Sequence, residues 1–92
     1  MKNKPMIHLV QKVWTDGQFV HVRTKDGLEA KTPFRKWKRL RDASPSERAS
    51  FVLSPCGIHW PDLDEDLSFG GIFYEAGLCD STDCEESFLY EG

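Results

Sequence analysis

Apolar and polar positions alternate along the first thirty residues, and two turns divide the pattern into three strands. From Met6 to Trp14 one parity carries Ile7, Leu9 and Val13 and the other His8, Val10 and Trp14, as in a strand covered on both faces for part of its length. Asp16-Gly17 supplies a two-residue hairpin turn that sets Val13 opposite Val20 and Trp14 opposite Phe19. The second strand then runs from Gln18 to Thr24. Lys25-Asp26-Gly27 fits a three-residue loop with Gly27 left-handed, because this pairs Val22 with Ala30 and Thr24 with Leu28. A two-residue loop sets Val22 against Lys31 and turns the apolar set of strand three to the wrong side.

After Thr32-Pro33, a capping hydroxyl followed by a proline suited to the first helical position, period two gives way to period three. Phe34, Trp37 and Leu40 predict a main helix, Pro33–Asp42, which faces the sheet and leaves Arg35, Lys36, Lys38, Arg39 and Arg41 outside. Ser44-Pro45-Ser46-Glu47 is a capping box and predicts a short second helix to Ser50. Phe51–Leu53 and Ile58–Trp60 read as a short hairpin around Ser54-Pro55-Cys56-Gly57. Beyond Pro61, Leu63 and Leu67 stand at i and i+4 and predict an acidic, leucine-anchored helical segment. Ser68 is a candidate cap for a third helix through Ile72, Phe73 and Tyr74, ended by Gly77, although Gly70-Gly71 oppose it.

The fold class expected is therefore α+β: a three-stranded antiparallel meander plus a short C-terminal hairpin, packed on one main helix, with a short second helix and a third. Residues 1–77 form the single domain, and residues 78–92 an acidic, mobile tail that Phe88, Leu89 and Tyr90 are able to dock.

Charge changes this picture most. All twelve Lys and Arg lie at or before Arg48 against five acids, so twelve less five leaves +7; from Ala49 onward ten acids meet no base, leaving −10. Such asymmetry fits two oppositely charged binding faces, or two halves that pack together and neutralise each other. Ninety-two residues leave room for one core. No apolar run has the length of a signal peptide or a membrane span, so a cytoplasmic protein with no membrane contact is expected. Cys56, Cys79 and Cys84 are odd in number, which argues against a disulfide framework.

Candidate chemistry gathers at Gly57–Ser68, G-I-H-W-P-D-L-D-E-D-L-S, where Asp62, Asp64, Glu65 and Asp66 fall within five residues, just beyond His59 and Trp60. As a catalytic site it would pair His59 with a carboxylate, but carboxylates at the start of a helix answer to its dipole without any catalysis, and no Ser or Cys occupies a nucleophile motif. No enzyme is expected. Asp62, Asp64 and Asp66 imitate the first ligands of a calcium loop, yet Leu67 stands where that loop needs glycine and Phe73 where it needs glutamate. Cys56-x2-His59 and Cys79-x4-Cys84 have zinc-like ligand types, but the second pair lies in the unpatterned tail, so no metal or cofactor is expected. The cations of the predicted main helix suit phosphates, and Trp37 a base, but Trp37 is needed on the apolar face and the acidic half repels a polyanion.

Arg35–Arg48, R-K-W-K-R-L-R-D-A-S-P-S-E-R, together with the G-I-H-W-P-D-L-D-E-D-L-S run, resembles the small bacterial family of domain of unknown function 2442. The resemblance spans roughly residues 6–77 and is specific from Trp37 to Ser68. It departs at Leu53-Ser54-Pro55-Cys56, where members often carry glycines, and has no counterpart for the tail after Gly77. The resemblance implies an antitoxin-like partner of a small protein encoded by an adjacent gene. The function expected is a non-catalytic protein-binding module. His59, Trp60, Asp62, Asp64, Glu65 and Asp66 would meet a basic partner protein, a toxin in that setting. The alternatives are a DNA- or RNA-binding regulator using Arg35, Lys36, Lys38, Arg39 and Arg41, and an acidic mimic that blocks a nucleic-acid enzyme.

Overall fold

In the computed structural model, which describes residues 7–79 and 87–91, β1 (His8–Thr15) carries a bulge at Gln11. Val10 faces Thr24 and Lys12 faces Arg23, so one residue is extra on β1 and the parity of its inward positions changes there. Val10 and Val13 consequently share the inner face with Val20, Val22 and Thr24 of β2 (Phe19–Thr24), while Lys12 and Trp14 lie on the outer one. The bulge thus brings Val10 and Val13, of opposite parity in the sequence, to one face and leaves the half-buried Trp14 on the other.

The first turn lies one residue later than expected. Asp16 N–H donates to the Phe19 carbonyl at 3.0 Å, and Asp16 Oδ1 accepts from the amides of Gln18 (2.7 Å) and Phe19 (2.8 Å). Gly17-Gln18 is thus the loop, and Asp16 its hydrogen-bonded shoulder. Val13 therefore faces Val22 and Trp14 faces His21. Each pair is shifted by two residues, which keeps every side chain on its face. The second loop is the three-residue one: Gly27 has φ +96°, Thr24 N–H donates to Leu28 O at 2.8 Å, and Val22 faces Ala30 of β3 (Glu29–Pro33).

The continuous helix Pro33–Asp42 does not form. β3 runs through Pro33, a 3₁₀ turn covers Phe34–Lys36, Trp37 is extended (φ −114°, ψ 115°), and α1 is the single turn Lys38–Arg41. A spacing of three is the period of a 3₁₀ helix rather than an α-helix. A continuous α-helix would also stack like charges at i and i+4, as at Arg35 and Arg39. Thr32 caps nothing; it pairs with Val20, and its hydroxyl accepts the Trp37 indole N–H at 3.3 Å. Phe34 and Leu40 are still buried. α2 (Pro45–Ala49) carries the expected capping box, with Ser44 Oγ accepting from Glu47 N–H and Glu47 Oε1 from Ser44 N–H.

The C-terminal hairpin does not extend the meander. β4 (Val52–Ser54) and β5 (Gly57–Trp60) are joined by β6 (Glu65–Ser68) in a separate antiparallel sheet of order β4-β5-β6. The fourth strand beside the meander is β7 (Phe88–Leu89), parallel to β1, giving the order β3-β2-β1-β7. Phe88 and Leu89 are two of the three residues named for docking the tail; residues 80–86 lie outside the described residues.

α3 (Phe69–Glu75) joins the two sheets, packing on β3, β5, β6 and β7 in place of the expected main helix. Ser68 Oγ accepts from Gly71 N–H at 3.0 Å at its start. Gly77, at φ +78°, ends it, with Leu78 N–H on Phe73 O and Gly77 N–H on Tyr74 O, the paired bonds of a Schellman motif. Phe69, Ile72 and Phe73 are buried, and the Phe73 and Phe88 rings stack at 4.1 Å. The architecture is α+β, with a four-stranded mixed sheet and a three-stranded antiparallel sheet. Among the described residues no helix is long and apolar enough to cross a membrane. Cys79 is disulfide-bonded, contrary to the reading of the odd cysteine count, whereas Cys56 is free and exposed.

Candidate functional site

The acidic run is a β-turn and strand, not a helix. Gly57 faces Ser68, Ile58 faces Leu67, His59 faces Asp66 and Trp60 faces Glu65, with Pro61–Asp64 reversing the chain between them. Leu63 N–H donates to Trp60 O at 3.1 Å, and Asp64 adopts φ +51°, a left-handed conformation that Asp tolerates better than most residues. Leu63 and Leu67 are compatible with a helix by spacing alone. The burial of Leu67 opposite Ile58 selects the strand.

This register sorts the expected contact residues. Asp62, Asp64 and Asp66 are exposed, and His59 stands on the same face as Asp66, its Nδ1 bonded to Asp66 Oδ1. Glu65 is half-buried on the face of Trp60. Trp60 is fully buried, with its indole N–H on the Arg48 carbonyl at 2.9 Å. It therefore supports the turn from beneath and is not a surface anchor. The site reduces to three carboxylates and a histidine on a short two-stranded platform.

The basic stretch comes to the same region. Arg39 Nη1 donates to the Asp64 carbonyl at 2.6 Å and lies 3.5 Å from Asp64 Oδ2. Lys36 pairs with Glu75, and Arg41 Nε with Asp42 Oδ1 at 3.3 Å. Of the five cations singled out, three thus have carboxylate partners, two of them in the acidic half. The charge asymmetry is partly answered within the molecule, and these pairs are exposed, so each contributes little to stability. An open groove beside the turn is lined by Lys38, Arg39, Glu47, Asp62 and Leu63, among others.

Two features escape a linear reading. Arg48 gives its guanidinium to three carbonyls, Leu40 O (2.8 Å), Arg41 O (2.9 Å) and Gly17 O (3.3 Å), and lies 4.8 Å from the Phe34 ring centroid. It satisfies the end of α1 and holds it to the first hairpin. The second feature is that all three histidines sit against aspartates: His8 on Asp26 and His21 on Asp16, each at 2.6 Å, and His59 on Asp66. The amide of Gln18, then His21, holds the Asp16 carboxyl down at about 2, and the Thr24 hydroxyl, then His8, lowers that of Asp26. Among the described residues no three His, Cys, Asp or Glu side chains converge as metal ligands.

The chain belongs to the family described as "Protein of unknown function (DUF2442)", whose model matches residues 10–77, a span that holds every contact residue named above. A solved structure with the same fold is the crystal structure, at 2.75 Å resolution, of a protein of unknown function from Rhodospirillum rubrum ATCC 11170. It is 26% identical, with a TM-score of 0.60, over 87% of this chain and 95% of that one. No curated protein matches the chain.

Proposed function

We propose that the chain is a non-catalytic protein-binding module that presents Asp62, Asp64 and Asp66, with His59 beside them, to a small protein with a basic surface. One observation carries the reading. The side chains of Asp64 and Asp66 are 91% and 75% exposed, although the backbone beneath them is pinned by a buried strand pair. Asp64 has Arg39 beside it and Asp66 has His59, yet both carboxylates keep most of their surface open to a further cationic group. Such complementarity acts mainly on association rate and partner choice. An antitoxin-like pairing with the product of an adjacent gene is the form of this proposal that the family resemblance implies.

The test is to mix the purified protein with the purified product of the adjacent gene and follow association by surface plasmon resonance at several salt concentrations. A stoichiometric complex is expected, with association slowed by about tenfold or more at low salt when Asp62, Asp64 and Asp66 are all changed to Asn. Absence of a complex, or a complex indifferent to that triple change, overturns the proposal.

A further inference from the structure

The outer face of the β1–β3 meander carries three rings and three cations. Trp14 faces His21 across the strands, their rings parallel within 3° and 4.9 Å apart, and Phe19 lies 6.1 Å from His21 along β2. Lys12 Nζ stands 5.1 Å from the Trp14 ring centroid, Arg23 Cζ 5.9 Å from the same ring, and Lys31 Nζ 4.4 Å from that of Phe19. Trp14 and Phe19 are half-buried and belong neither to the buried core nor to the side chains packed against it.

Cross-strand pairs of this type stabilise a sheet modestly whatever they bind. The sheet already has a complete core on its other face, however, and a merely solvated face does not require three rings. We infer that this face binds single-stranded nucleic acid, with bases stacking on Trp14 and Phe19 and with Lys12, Arg23 and Lys31 neutralising phosphates. The pairing of ring with cation picks out this ligand. An acidic peptide would use the cations and leave the rings idle, whereas a nucleotide offers an aromatic face and an anion in each unit. Two carboxylates lie nearby. That of Asp16 is taken up by the turn amides and His21, and Glu29 stands opposite Arg23. At the Phe19 end, a cleft of about 250 Å³ has Arg35 in its lining. The surface is separate from the acidic turn and uses none of its residues.

Fluorescence anisotropy with labelled oligo-dT, oligo-U and a duplex of the same length tests the inference. Binding to one or both single strands is expected, their ratio telling DNA from RNA, with a log–log salt slope of about −2 for three neutralised phosphates. Trp14→Ala should weaken binding by about ten- to a hundredfold, and Trp14→Phe should restore most of it. Lys12→Gln and Lys31→Gln should each flatten the slope by about 0.7, and Glu29→Gln should tighten binding. If Trp14→Ala does not fold, the two lysine variants, which remove no ring, decide. No binding to either single strand at low salt overturns the inference. So does binding that ignores Trp14, Lys12 and Lys31 and is lost instead on changing Arg35 and Lys38. Changing Asp62, Asp64 and Asp66 to Asn should leave oligonucleotide binding no weaker, so the two proposals fail separately.

Discussion

The indole N–H of Trp60 donates to the backbone carbonyl of Arg48 at 2.9 Å, and this bond fixes the second sheet to α2. The Arg48 guanidinium in turn bonds the carbonyls of Leu40, Arg41 and Gly17, so a single residue links β5, α1 and the first hairpin. The acidic turn rests on the far end of that chain of contacts.

Trp60→Ala is therefore expected to unfold or severely destabilise the protein. Removing a buried aromatic ring costs about 3–5 kcal/mol, out of the roughly 5–15 kcal/mol that holds a small domain together. Trp60→Phe removes the N–H and part of the ring, so it takes the indole donor from the Arg48 carbonyl and leaves a small cavity; it should cost less than Trp60→Ala but at least about 1–3 kcal/mol. Urea denaturation of the two variants measures both, and an unchanged midpoint for Trp60→Ala would place the core elsewhere.

Asp64 should behave in the opposite way. Asn tolerates the left-handed backbone at φ +51°, and the carbonyl that Arg39 holds is untouched, so Asp64→Asn should shift stability by no more than about 0.5 kcal/mol. Asp64→Val puts a β-branched residue at that φ and should cost about 1–3 kcal/mol. Thermal melts that rank the two variants the other way would mean the carboxylate, not the backbone, is the structural element.

Two glycines make a further contrast. A Cβ on Gly57 would collide with the Leu67 carbonyl oxygen across the β5–β6 pair, where backbone on both sides has no room to move. Gly57→Ala should destabilise by about 1–3 kcal/mol. At Gly17 nothing lies within 4 Å of such an atom and φ is not positive, so Gly17→Ala should be stabilising by about 0.4–1 kcal/mol. Chemical denaturation of each variant is the measurement.

Acid should loosen the first hairpin. The carboxyl of Asp16 titrates at about 2 in the fold against 3.8 ordinarily, so its stabilising contribution is complete above 3.8 and is lost as pH falls towards 2. Asp26, also lowered, acts in the same direction. Melting temperature followed from pH 5 down to pH 2 should fall more steeply for the wild type than for Asp16→Asn, which has no carboxylate to protonate. Parallel curves would show that the turn amides gain nothing from the charge.

The features closed within a few residues of chain are the ones legible before any folding is considered. Gly27 and the Val22–Ala30 pairing, the Ser44–Glu47 capping box, the Ser68 cap and the Gly77 helix end each depend on local backbone chemistry, and each is present. The strand at Ile58–Trp60 was legible for the same reason, since Ile58 and Trp60 alternate with His59 and the run stops at Pro61. Tertiary structure decided everything in which two local readings compete. Leu63 and Leu67 satisfy a helical spacing as well as a strand, and only pairing with β5 settles Leu67 opposite Ile58 and turns Glu65 inwards. Phe34, Trp37 and Leu40 fit a helix of three or of nearly four residues per turn until the core takes Phe34 and Leu40 and leaves Trp37 half-buried. The Gln11 bulge, the Arg48 contacts and the pairing of Phe88 with His8 join residues whose partners are distant in sequence, where no local preference signals the bond. The acidic site was legible as composition, but which carboxylates face solvent became visible only once the strand register existed.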